Sequence, residues 1–336
     1  MVQQAIQIKK IISEILAARR NDGGVKSLYF VGCGGSRGAL YAAQTFMERE
    51  STQIRSALIS SNEFVHNPPK DFGKNTILCV SCHKGNTPET IAAAKLGKDR
   101  GAAVIILTWL EKSEIVQYGD YIVNYAFDES PDHLEGGIDY AGEKPMCALM
   151  VAVETVHQIE GYDNYDKFCD GMELLTDIIL KARAQIADRA KAFAQEYKDD
   201  RFIYTMGSGA GYGAAYMQSI CIFMEMQWIN SSAIHSGEFF HGPFEVTDEN
   251  CPFVLQISEG TNRALDERTQ VFLSKYAKRV EVLDARELGL GAIDHDVADY
   301  FNHSLFNNVY HIYNHELAEA RKHPLSTRRY MWKVEY

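Results

Sequence analysis

Short runs of consecutive apolar residues recur along the chain, each followed by a longer stretch with helical spacing. In the first half the runs are Ser27–Val31, Asn75–Val80, Ala103–Thr108 and Tyr121–Phe127. Continuous apolar runs of this length read as strands buried on both faces. Their alternation with helical segments predicts α/β architecture with parallel sheets. Helices are predicted over Ser36–Arg49 and Pro88–Gly101. The second has a well-marked start, with Thr87 as cap, Pro88 in the first turn and Glu89 at the positive end. The apolar stretch from Pro145 to Ile159 predicts a buried helix closing the first half. Residues 165–199, charged and alanine-containing, predict a helix that links the halves.

The second half starts the pattern again. Phe202–Met206 predicts a strand, Gly207–Gly213 a glycine-rich turn and Ala214–Trp228 a long apolar helix. Pro252–Ile257 and Arg279–Leu283 predict further strands, and 300–322 a final helix. The openings Leu28-Tyr-Phe-Val-Gly-Cys-Gly-Gly-Ser36 and Ile203-Tyr-Thr-Met-Gly-Ser-Gly-Ala-Gly211 use one strand–turn–helix design twice. The expected fold class is therefore α/β, with two domains, each a doubly wound parallel sheet flanked by helices. The expected divisions are an N-terminal helix at 1–21, a first domain at 22–160, a helical linker at 161–195 and a second domain at 196–336.

Composition narrows the function classes. A length of 336 residues suits two α/β domains, and 46% hydrophobic with 24% charged residues suits a globular chain. A net charge of −11 argues against nucleic acid, whose phosphate backbone requires a basic surface, but leaves room for a small anion held by local donors. The seven cysteines (Cys33, Cys79, Cys82, Cys147, Cys169, Cys221 and Cys251) form no metal-type pair. They read as reduced, mostly buried thiols. No uncharged secretory core and no membrane-spanning run is present, so a cytoplasmic location without a membrane partner is expected.

Three places carry candidate chemistry. Gly32-Cys33-Gly34-Gly35-Ser36 follows a strand and opens a helix, where backbone N–H groups favour an anion. It fits neither the P-loop nor the dinucleotide pattern, and taken alone it is read better as a tight structural turn. Ser81-Cys82-His83-Lys84-Gly85-Asn86-Thr87 follows the next strand, at the edge where open α/β sheets bind ligands. A polar capping turn explains Thr87 alone and leaves His83 and Lys84 open to phosphate binding. Glu225 lies in the apolar stretch Ser219-Ile-Cys-Ile-Phe-Met-Glu-Met-Gln-Trp228, and His241 in Ser236-Gly-Glu-Phe-Phe-His-Gly-Pro243. A carboxylate in apolar surroundings and an imidazole suit proton transfer next to a carbonyl; a buried ion pair and a turn histidine are the alternatives. His311, His315 and Glu316 lack the HExxH order and read as a helix face, and Asp294, His295 and Asp296 as a polar loop.

These residues carry a resemblance. Cys33-Gly34-Gly35-Ser36, the turn at 82–87, the helix with Glu225, Gly237-Glu-Phe-Phe-His-Gly-Pro243 and the closing Val334-Glu335 resemble the double-SIS (sugar isomerase) domain proteins related to the isomerase half of glucosamine-6-phosphate synthase. The longer runs His83–Thr90, Ile220–Trp228, His235–Pro243 and Arg328–Tyr336 are similar to the deglycases of phosphorylated Amadori compounds. Among these, they are similar to those of the fructose-asparagine pathway acting on 6-phosphofructose-aspartate.

The resemblance implies two SIS domains and cleavage of a phosphosugar-amine substrate to glucose 6-phosphate and an amino acid, with no cofactor and no metal. It implies Glu225 as carbon-acid base and His241 as general acid. Gly34, Gly35, Ser36, Ser81, His83, Lys84, Asn86 and Thr87 are implied as substrate-binding residues. It also implies a homodimer whose His241 completes the neighbour's site. Cys82 and Lys84 depart from the synthase's serines. Tyr330 stands where the synthase has its imine-forming lysine, with Lys333 out of register, which favours deglycation over isomerisation. Alternative substrates are fructoselysine or glucoselysine 6-phosphate. A phosphosugar isomerase is the enzymatic rival. A sugar-phosphate-sensing regulator is expected to carry an attached DNA-binding domain, for which the segment before the first strand is too short.

Overall fold

The computed structural model describes residues 2–127 and 137–335. Two compact units divide within the longest helix, the first holding the described residues through Thr176 and the second those from Asp177 onward. The first runs α1 Gln3–Arg19, β1 Ser27–Gly32, α2 Gly34–Gly38, α3 Tyr41–Glu50, β2 Arg55–Ser60, α4 Ser61–His66, β3 Thr76–Ser81, α5 Pro88–Asp99, β4 Ala103–Thr108, β5 Tyr121–Asn124 and α6 Lys144–Glu160. Helix α7, Tyr165–Tyr197, crosses the division. The second continues with β6 Phe202–Gly207 and α8 Tyr212–Met217, which runs into a π-helical segment, Gln218–Met226. Then follow β7 Asn230–His235, β8 Phe253–Ile257, α9 Arg263–Tyr276, β9 Val280–Asp284, α10 His295–Ala298 and α11 Asn302–Arg321.

Every named strand pairing is parallel, with sheet orders β2-β1-β3-β4-β5 and β7-β6-β8-β9. Strands β1, β3 and β4 are buried at every residue, as expected of parallel strands covered on both faces. One face of the first sheet packs Tyr29, Val31, Leu78, Val80, Val104 and Ile106 against Phe64 of α4 and Ala93 and Ala94 of α5. On α1, Ile8, Ile11, Ile12 and Ile15 make one apolar stripe by their spacing, all buried, and α1 packs on α6. In the second sheet Met206, Phe253, Leu255 and Ile257 join Phe239 and Leu273 in a core cluster.

The structure departs from the expected elements at several places, among them Asp294–Asp296, expected as a polar loop, where Asp294 caps α10. Strands β2 and β7 were not expected from the pattern; both are edge strands with partly exposed, polar sequences. The helix expected over Ser36–Arg49 starts earlier and is interrupted at Ala39 and Leu40. The strand expected to reach Phe127 ends at Asn124. Thr87 occupies the N-cap position of α5 but its hydroxyl makes no capping bond. The helix expected over Ala214–Trp228 leaves the α form after Met217.

Candidate active site

In each sheet the chain leaves one central strand for the edge on one side and returns to the other. That makes β1/β3 and β6/β8 the topological switch points, outside whose C-terminal ends a crevice opens. The turns after these strands are therefore the places to look for ligand groups. By contrast, a cleft of about 550 Å³ lined by Arg20, Gly24, Val25, Lys26 and Gln53 lies beside the start of β1, at the opposite end of the strands.

At the first switch point, β1 delivers Gly34, Gly35 and Ser36, with Gly34 at φ 53°, where a side chain is disfavoured. The first amides of a helical turn have no intrahelical acceptor and suit an anion. Strand β3 ends on Ser81, which is fully buried with an unbonded hydroxyl among the described residues. The turn that follows is tied down: Cys82 N–H donates to Leu107 O at 3.0 Å, Trp109 N–H to His83 O at 3.0 Å and Ile115 N–H to Gly85 O at 3.1 Å. Gly85 has φ 65°, and a Cβ there would lie 2.1 Å from Ser113 Oγ. Only glycine fits. Lys84 and Asn86 are exposed, and Thr87 is half-buried.

His83 sits in an aromatic setting. Its Nδ1 is 2.6 Å from the Tyr125 hydroxyl, and its ring stacks on Trp109 at 5.3 Å and meets the edge of Phe127 at 4.7 Å. Burial, helped by the charges of Lys144 and Lys84, pushes its pKa down to about 4. The imidazole is therefore neutral at physiological pH, a hydrogen-bonding group rather than a third cation. Lys144, the first residue of α6, places Nζ 3.5 Å from Ser36 Oγ and 5.5 Å from the Tyr125 ring centroid. Thus Ser36, His83, Lys84 and Lys144 gather at one sheet edge.

The second unit carries Glu225 and His241. Glu225 lies in the π-helical segment, an arrangement that often marks functional sites. Its side chain keeps 22% of its exposure, and Arg328 Nη2 is 2.8 Å from Oε1. Burial raises the carboxyl's pKa and outweighs the opposing pull of Arg328. His241 is exposed on a turn bolted to the core by Phe239, and Phe244 N–H donates to Phe239 O at 2.9 Å. Among the described residues of one chain, no hydrogen bond joins Glu225 and His241.

At the β6/β8 switch point the turn residues Ser208, Ser236 and Ser258 are buried around Asp266, whose Oδ2 accepts from Ser258 N–H at 3.0 Å. Asp266 is fully buried, and burial pushes its pKa up to about 6. An acidic group here opposes an anionic ligand.

The family described as SIS domain matches residues 24–154. Over 312 residues, 93% of this chain and 93% of its relative, the sequence is 41% identical to fructosamine deglycase FrlB of Bacillus subtilis (strain 168). The chain belongs to the SIS-domain phosphosugar deglycase family. Fructoselysine 6-phosphate deglycase of Escherichia coli (strain K12) is 24% identical over 268 residues, 80% of this chain and 75% of that one. A Salmonella typhimurium LT2 structure, provisionally described as a phosphosugar isomerase, superposes with a TM-score of 0.95 at 42% identity, covering 100% of this chain and 98% of that one.

Within this SIS-domain deglycase, sequence reasoning missed two residues. Lys144 is distant in sequence from both turns it joins, and only a lysine opening an apolar helix hinted at it. Arg328 lies in the run Arg328–Tyr336, which gives no sign that it meets Glu225. Among the described residues, no group of three or more His, Cys, Asp or Glu side chains is arranged to hold a metal ion. None of the described helices is long and apolar enough to cross a membrane.

Proposed function

We propose that this protein hydrolyses a 6-phosphorylated Amadori compound, 6-phosphofructose-aspartate, to glucose 6-phosphate and aspartate. The observation that carries the reading is the gathering of Ser36, neutral His83, Lys84 and Lys144 at the β1/β3 switch point, a setting for a sugar phosphate. Gly34, Gly35, Ser81, Asn86 and Thr87 complete the proposed binding set. The names of the relatives in Bacillus subtilis and Escherichia coli support deglycation as the reaction class. The second of them favours fructoselysine 6-phosphate as the alternative substrate.

In the proposed reaction His241 assists opening of the sugar ring. Glu225 then takes a proton from C1, and the electron pair moves through C1–C2 to the C2 oxygen, giving an enaminol. The nitrogen lone pair then forms a C1–N double bond while the C1–C2 pair takes a proton at C2, and loss of the nitrogen's proton leaves a C1 imine. Water adds to C1, the carbon–nitrogen bond breaks, and the amino acid leaves with the proton it needs. The substrate brings its own nitrogen, so no enzyme imine is required. The C-terminal segment accords with this: Lys333 Nζ donates to the Arg328 carbonyl at 2.6 Å, and Tyr330 is largely exposed. Two further parts of the proposal are a homodimer in which His241 serves the neighbour's site and a cytoplasmic location.

Incubation with 6-phosphorylated ketosamines of aspartate and of lysine tests the reading. The expected product is glucose 6-phosphate, with the aspartate compound turned over fastest. Release of fructose 6-phosphate, or of no phosphosugar at all, contradicts it.

A further inference from the structure

The closing segment of the chain is anchored where the π-helical segment ends. Gln227 Nε2 donates to the His323 carbonyl at 2.8 Å, and Arg321 Nη2 to the Gln227 carbonyl at 3.2 Å. The His323 ring meets Trp228 at 4.7 Å, and the Arg329 guanidinium lies 4.2 Å from the centre of the Trp228 ring. Trp228 (φ 56°), Lys322 (φ 51°) and Trp332 (φ 61°) are the positive-φ residues other than glycine among the described residues, and all three belong to this junction. Bulky side chains enter that region at a cost, and such positions persist where surrounding contacts over-determine them.

The junction delivers Arg328. Its Nη1 donates to the carbonyls of Leu325 and Thr327 at 2.7 and 2.8 Å, while Nη2 reaches Glu225 Oε1 at 2.8 Å. The Trp332 ring lies 5.4 Å from the guanidinium, and the Arg328 side chain is only 9% exposed. A guanidinium with one arm occupied by two carbonyls is held in a fixed orientation, unlike the flexible cation of a surface ion pair. Around Glu225, Arg329 is engaged with Trp228, Arg321 with backbone carbonyls and His323 with Trp228. Arg328 alone pairs with the carboxylate among the described residues.

We propose that Arg328, set in place by the folded C-terminal segment, is a positioning residue that keeps the Glu225 carboxylate charged and aimed between proton transfers. The inference rests on Glu225 acting as the carbon base. Burial favours the protonated acid, which cannot accept a proton; the fixed cation counters it by attraction and a charge-assisted hydrogen bond. The C-terminal segment thereby belongs to the proton-transfer apparatus rather than to packing alone.

The test compares the pH dependence of kcat/KM for the wild type, Arg328→Met and Arg328→Lys, with Glu225→Gln assayed alongside. Arg328→Met should move the acid limb up by about one to two pH units, as loss of an adjacent cation does. KM should change less than about threefold, since the group acts through Glu225. Arg328→Lys keeps the charge without the fork and should shift the limb less than the Met variant while lowering kcat by about tenfold. An unmoved acid limb in folded Arg328→Met overturns the proposal. If that variant does not fold, wild-type kcat and pH profile in Arg328→Lys overturn it. A fully active Glu225→Gln protein would instead remove the base on which the inference rests.

Discussion

Behind the first switch point, Ser61 after β2 and Thr90 in the first turn of α5 close a buried hydroxyl pair at 2.9 Å. Behind the second, the residue after β7 is Ser236 and the first turn of α9 carries Asp266. The scaffolds match strand for strand around these points, yet one has a neutral pair where the other has a carboxyl. At the first switch point Lys84 and Lys144 gather with Ser36 and His83; the second unit instead has Asp266 at its switch point and Glu225 in its π-helical segment. Parallel sheets wound this way bring their turns together at one edge whatever the turns contain, so duplicated scaffolds can diverge in chemistry without altering the core. We read the first unit as the holder of the anion and the second as the source of the base.

The largest expected effect breaks the second half of that division. Glu225→Gln and His241→Asn should each lower kcat by at least ~10²-fold, as for loss of a general base or acid. If His241 serves a neighbour's site, mixing the two proteins with subunit exchange should restore about a quarter of wild-type activity. Half the molecules become heterodimers, and each heterodimer has one intact site of two. No recovery, with exchange confirmed by mass spectrometry, contradicts the shared site.

A smaller effect sharpens the contrast between Thr90 and Asp266. Asp266 has its pKa raised from 3.8 to about 6 by burial, so the folded protein binds that proton more tightly than the unfolded chain. Its contribution favours folding below pH 3.8 and is lost as pH rises through about 6. Asp266→Asn should therefore gain stability relative to the wild type across that window, by about 1–3 kcal/mol, read as a growing difference in Tm. A difference that stays flat from pH 4 to 7 contradicts the buried-charge account.

Most central strands were legible because buried parallel strands are unbroken apolar runs; Ala103–Thr108 appears as expected, residue for residue. Two of the four edge strands, β2 and β7, were not. Arg55-Ser-Ala-Leu-Ile-Ser60 and Asn230-Ser-Ser-Ala-Ile-His235 pair on one side only and tolerate polar, partly exposed residues, so they carry no apolar run. The shift from α to π form before Glu225 was illegible too, since an apolar stretch does not distinguish the two windings. At the site, the turns with Ser36 and His83 announced themselves by glycines and clustered polar groups beside strands. Lys144 and Arg328 did not, because each reaches its partner through the fold, the one at the head of α6 and the other on a segment held by carbonyls and indole rings.

The division between holding and reacting is tested most directly by calorimetric titration of glucose 6-phosphate into the wild type, Lys144→Ala and Glu225→Gln. Loss of a charged hydrogen-bonding partner should weaken binding to Lys144→Ala by about tenfold or more. Glu225→Gln should bind within about threefold of the wild type, because its carboxylate acts on a proton rather than on the phosphate. Unchanged affinity in Lys144→Ala together with lost affinity in Glu225→Gln would contradict the account.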